Sequence, residues 1–243
     1  YTVTSEHTFQ TPIYKGSLAR AINATDGTEI WTLSAATGEF AATSYAIADG
    51  YSTFFNSYDQ QIYTLGRGPS ETTIQIGPKS STLGGNVVIE GTVTDISSGT
   101  KQNEQAARFP NGVAAVSDES QSAWMEYVYM QQPKPTNATG VPIVLSVVDS
   151  NGNYRQIGTT ISNIYGTYSY TWTPDIPGDY TVIAEFTGSE SYYAASTSTA
   201  FYASETAPTA SPQPTQPESL ADQYILPGII GIIAAIVIGF AAS

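Results

Sequence analysis

The chain has no cysteine and a single histidine, His7. Without cysteine there are no disulfides, thiolate metal sites or cysteine nucleophile. One histidine rules out multi-histidine metal centres and leaves little room for a hydrolase triad. Basic residues are also scarce: eight Lys and Arg stand against 21 Asp and Glu, for a formal net charge of -13. A phosphate backbone would be repelled by that field rather than steered into it, so nucleic acid is excluded as a main partner. All the bases lie at or before Arg155, and the last 88 positions carry seven acids and no base. What the chain does have is 57 Ser and Thr and 17 Tyr in 243 residues, a composition of β-strands and hydroxyl-rich surface rather than of helices.

The longest strand signals lie between residues 71 and 204. Val87, Ile89, Gly91 and Val93 are expected to alternate with exposed positions, and Val141, Ile143, Leu145 and Val147 to do the same. Asp149-Ser-Asn-Gly-Asn153 reads as a hairpin turn, followed by a strand from Tyr154 to about Ser162. Tyr168, Tyr170 and Trp172 alternate up to a Pro-Asp-Ile-Pro-Gly corner, and Tyr180, Val182, Ala184 and Phe186 form the next strand. Short alternating strands with regular turn signals predict an immunoglobulin-like β-sandwich, with Tyr180 placed as in a tyrosine corner. Ser117–Met130 interrupts this pattern: an N-cap, acids in the first turn and helical spacing of Trp124, Tyr127 and Val128 favour a short helical insertion near 117–131, although the same residues also alternate as a strand.

Residues 205–222 contain Pro208, Pro212, Pro214 and Pro217 among Ser, Thr and Gln, with no apolar run able to pack. Such a segment is expected to be an extended, semi-rigid stalk. Behind it, residues 223–243 include the uncharged run Ile225–Ala242. At about 1.5 Å per residue these 18 positions reach roughly 27 Å as a helix, enough for a bilayer core, so a single transmembrane helix is expected. Pro227 falls in its first turn, where a missing N–H costs little. Neither flank carries Lys or Arg, so orientation cannot come from charge; a glycosylatable stalk places the bulk of the chain outside the cell. The sequons Asn23-Ala-Thr25 and Asn137-Ala-Thr139 mark Asn23 and Asn137 as candidate N-glycosylation sites.

Residues 1–70 differ again. Ala21-Ile-Asn-Ala-Thr-Asp-Gly-Thr-Glu-Ile-Trp31 is strand, tight turn, strand and tryptophan, followed by Ala46-Ile-Ala-Asp-Gly-Tyr51 and Asn56-Ser-Tyr-Asp-Gln-Gln-Ile-Tyr63. These residues resemble the blade repeat of pyrroloquinoline-quinone-type (PQQ-like) β-propellers, with Asn23 where that repeat has Asp and Asp26 where it has Thr. The segment supplies fewer than two blades, and a ring needs about four or more. The full order of partial propeller blades, immunoglobulin-like sandwich, Pro/Thr stalk and terminal helix resembles archaeal cell-surface proteins. That resemblance implies an architecture and a location rather than a reaction. Tyr at position 1 is expected of a mature product or of the C-terminal part of a longer protein.

Candidate chemistry is thin. His7 with Asp26 or Glu29 has no spacing that favours an acid–base pair, and Asp149–Asn153 lacks the closing acid and ligand number of a calcium loop. Asp118, Glu119 and Glu126 read as helix-start and solvated charges. No residue matches a quinone site, so no catalytic, cofactor-binding or metal-binding residue and no cofactor are expected. The expected function is that of a non-catalytic, membrane-anchored extracellular protein. It would contact membrane lipid through its C-terminal helix and present its β modules for adhesion, envelope structure or binding of a protein or carbohydrate. The alternative is the C-terminal part of a surface quinoprotein-like enzyme whose propeller is largely missing from this chain.

Overall fold

A computed structural model of the chain describes residues 2–3, 16–37, 45–130, 132–205, 225 and 228–229. The fold is mainly β with few helices, and its sheet is curled as a half-barrel. Contacts divide the chain into two compact units, Tyr1–Thr206 and Ala207–Ser243. Among the described residues no helix is long and apolar enough to cross a membrane. The expected stalk beyond Glu205 and nearly all of the expected transmembrane segment lie outside the described residues.

The first unit begins with two small antiparallel sheets. One joins β1 (Thr2–Val3), β2 (Leu18–Ile22) and β3 (Glu29–Ser34), and the other joins β4 (Tyr45–Ala48), β5 (Tyr51–Asn56) and β6 (Gln61–Leu65). The β4–β5 hairpin closes on Asp49 and Gly50 with φ of 51° and 79°, the left-handed pair that a two-residue turn requires and that Asp-Gly tolerates best. Phe54 is buried between Tyr45 and Tyr63, with ring centroids 5.6 and 5.8 Å apart, and packs with Ala19 and Ala35 in a core of its own. Buried Asn56 stitches the two sheets together: its Oδ1 accepts from Ala36 N and its Nδ2 donates to Ser34 O, each at 3.2 Å.

The remaining strands are β7 (Ser70–Thr72), β8 (Gln75–Gly77), β9 (Ser80–Thr82), β10 (Val87–Asp95), β11 (Val113–Ala114), β12 (Pro142–Val148), β13 (Tyr154–Ile161), β14 (Thr167–Trp172), β15 (Gly178–Phe186) and β16 (Ala195–Ser204). They form two five-stranded sheets. In one, β10 is the hub, with β14 and β8 paired to its first half and β11 and β7 to its end. The other runs β13-β12-β15-β16-β9, with β9 parallel to β16. Alternation decides which side chains go inward. Val87, Ile89 and Val93 of one sheet meet Ile143, Leu145, Val182 and Phe186 of the other in a single core. Tyr180 Oη accepts from Ile176 N at 2.9 Å and donates to Ile176 O at 2.8 Å, fixing the turn before β15.

Two α-helices, α1 (Asn103–Arg108) and α2 (Asp118–Met130), lie between β10 and β12, after a 3-10 turn at Ser98–Lys101. Asp118 and Glu119 occupy the first turn of α2, where carboxylates complement the helix dipole. Trp124 and Val128, one turn apart, bury against Val113, Ala114 and Val116 in a third core, and Trp124 Nε1 donates to Ala114 O at 3.1 Å. The opposite choice, a strand, would have put Trp124 and Val128 on the same face as Glu126, an acid. On the helix, Ser122 Oγ instead reaches Thr32 O of β3 at 3.1 Å, linking α2 to the N-terminal sheets.

Candidate functional site

The acids singled out from the sequence are held in local structural roles. His7 lies outside the described residues. Asp26 accepts from Thr28 N and Thr28 Oγ1 at 3.0 and 2.7 Å, which holds its carboxyl below the usual range, and Glu29 pairs with Arg20 at 3.5 Å. Asp149 Oδ1 accepts from Asn151 N and Asn153 N at 2.8 and 3.0 Å, closing the turn ahead of β13. Those bonds, led by the one from Asn153, lower its pKa. A carboxylate engaged in this way caps a turn. Among the described residues no three of His, Asp or Glu are grouped to hold a metal ion.

Asp118 does more than start α2. It accepts from Ser189 Oγ, Glu190 N and Ser191 N at 2.9, 3.0 and 2.9 Å, clamping the β15–β16 loop from more than 70 residues away. Burial alone would raise its pKa, but these hydrogen bonds outweigh burial and leave it lowered. Glu126 is raised by burial beside β3, and Glu119 is exposed.

The two sequons sit at the surface. Asn23 follows β2 in a tight turn, half-buried, its Oδ1 accepting from Thr25 N at 2.9 Å. Asn137 is exposed in a bend between α2 and β12, and Thr139 Oγ1 shares a 2.9 Å hydrogen bond with Ser117 Oγ.

Two features escape the sequence reading. The first is a buried polar junction where α2, the end of β10 and the β15–β16 loop meet. Asp95 is 5% exposed, accepts from Ser97 N at 2.8 Å, and is pushed up by burial. Tyr192, close to both Asp95 and Gln121, is raised by burial, as is Tyr129 near Asp95. Tyr192 Oη and Gln121 Oε1 are buried without a hydrogen bond of good geometry. One signal was available: Asp95 continues the inward row of Val87, Ile89 and Val93, so an acid there had to be buried.

The second feature is a groove of about 630 Å³ over the outward face of the β8–β10–β14 sheet, walled by the end of β13 and the β13–β14 hairpin. Its floor consists of two cross-strand rows, Gln75–Glu90–Ser169 and Thr73–Thr92–Thr167. Among the described residues Glu90 is the one charged residue lining it. These positions are unremarkable in sequence, because only strand pairing brings residues 73–75, 90–92 and 167–169 side by side. No family model matches the chain, and none of the curated proteins matches it either.

Proposed function

We propose that the chain is a membrane-anchored extracellular protein that displays β modules for adhesion, envelope structure or ligand binding, without catalysis. One observation carries the reading: the uncharged apolar run Ile225–Ala242 directly behind a proline-rich spacer and a folded β unit. The pairing order β13-β12-β15-β16 against β8-β10-β14, with a tyrosine hydroxyl bonded back to its preceding turn, supports an immunoglobulin-like sandwich as the displayed module. Asp149 caps a turn, Asp118 clamps a loop and Glu104 pairs with Arg108, roles that suit display better than turnover. Exposure of Asn137 suits glycosylation in an external compartment. Fractionation of cells expressing the full chain and a version ending at Ser219 tests the anchor. The full chain resists carbonate extraction and the shorter one is released; full extraction of both removes the proposal.

A second reading has its own observation. Ile22, Ile30, Ile47, Phe55 and Ile62 on the N-terminal sheets are 41–73% exposed, a density of apolar surface that further blades of a propeller would cover. On that reading the chain is the C-terminal part of a quinoprotein-like surface enzyme, and an upstream coding sequence with several more blades would support it.

A further inference from the structure

We propose that the groove over the β8–β10–β14 face binds a neutral oligosaccharide. Its floor is a grid of polar side chains. Strands stand about 4.8 Å apart, and same-face residues along a strand about 6.6 Å apart, so donors and acceptors recur in two directions. Nearly every side chain on the floor is a hydroxyl or amide that both donates and accepts. Mutual hydrogen bonds hold them in place: Thr73 Oγ1 with Thr92 Oγ1 at 2.8 Å, Asn163 Nδ2 to Thr167 Oγ1 at 2.7 Å, and Gln75 Nε2 to Glu90 Oε2 at 3.4 Å. Each hydroxyl keeps lone pairs for a ligand, and little side-chain freedom is left to lose on binding.

The chemistry of the lining discriminates among ligand classes. With Glu90 as the one charge among its described lining residues, the groove repels phosphate and sulfate groups. An acyl chain would leave the Thr, Ser and amide groups desolvated and unpaired. An added peptide strand would pair along an edge, β8 or β14, rather than lie over the floor, where the backbone of β10 is paired on both sides. A neutral polyol fits: its hydroxyls pair with the grid, and the Glu90 carboxylate accepts from two neighbouring hydroxyls. Sugar rings also present C–H faces, and the groove offers apolar surface for them. Ile161 on the wall is 65% exposed. The volume lies within the roughly 300–1,000 Å³ typical of small-ligand sites.

This assignment rests on the display reading, since the groove has a use only on a module that faces glycans outside the cell. The two fail separately, because binding is measured on purified protein and anchoring by fractionation. The full chain is applied to an array of neutral, sialylated and sulfated glycans, and cellohexaose, maltohexaose and mannohexaose are titrated by calorimetry. At least one neutral oligosaccharide binds saturably, with Kd on the order of 10–1,000 µM. Glu90→Gln and Thr167→Val each weaken it at least tenfold with unchanged melting. Tyr154→Ala, an exposed tyrosine at the far end of β13, leaves it unchanged. Binding to no neutral glycan, binding confined to sialylated or sulfated ones, or equal loss in the Tyr154 variant overturns the assignment.

Discussion

Replacing Trp172 with alanine should be among the most damaging single changes in the main β core. Its side chain ends β14 opposite Val87, is 8% exposed, and meets Tyr180 edge-on at 5.0 Å and Phe201 at 5.8 Å. Truncating a buried aromatic to alanine costs about 3–5 kcal/mol, through lost transfer energy and the cavity left behind. The two edge-to-face contacts, each about 0.5–1.5 kcal/mol, place this site in the upper part of that range. The loss is a large share of the roughly 5–15 kcal/mol that holds a domain folded. It corresponds to a fall in Tm of roughly 10–20 °C for a domain of this size. Trp172→Phe keeps one ring against Tyr180 and should cost less than half as much. Urea denaturation followed by circular dichroism reads both, with an unchanged slope showing that the denatured state is the same. A loss below about 1 kcal/mol for Trp172→Ala would place the side chain outside the core and refute the packing argument.

Three further outcomes follow from the same geometry. Residues 71–204 should fold alone, because among the described residues neither the main core nor the α2 core draws one from the first 70; a fragment spanning them melts cooperatively with β-type dichroism, and a disordered spectrum would mean that the N-terminal sheets are required. Asp118 and Asp95 should shape acid stability with opposite signs. Asp118, with its folded pKa lowered, contributes stability above the unfolded carboxylate range that is lost as pH falls through the folded value, so Asp118→Asn flattens the acid limb of a denaturation series. Asp95, with its folded pKa raised by burial, favours folding at low pH and loses that contribution as pH rises through its folded value, so Asp95→Asn should raise stability at neutral pH relative to pH 3. Finally, the isolated chain should neither bind pyrroloquinoline quinone with calcium nor oxidise alcohols or sugars, because a site on a propeller axis draws contacts from several blades. Calorimetric titration with dye-linked oxidation checks this, and saturable micromolar heat with turnover would overturn it.

Sequence alone determined what depends on neighbours a few residues apart. The alternation of Val87, Ile89 and Val93, of Ile143, Leu145 and Val147, and of Tyr180, Val182, Ala184 and Phe186 names the buried face of each strand, because side chains in a strand alternate with period two. The Asp149 turn was legible for the same reason: turn geometry is set by the few residues that form it. The segment 118–130 was not settled at that level, since its letters carry both periods. Tertiary structure decided for the helix by giving Trp124 and Val128 a common apolar seat beside Val113 and Val116, and by giving Asp118 three partners in the β15–β16 loop. The burial of Tyr192 and of the Gln121 side-chain oxygen beside Asp95, and the grid of the groove, were beyond sequence altogether. Glu90 stands beside Gln75 and Ser169 only because β10 pairs with β8 on one edge and β14 on the other, and that register is set by packing the whole core, across nearly 100 residues of chain, rather than by any local preference.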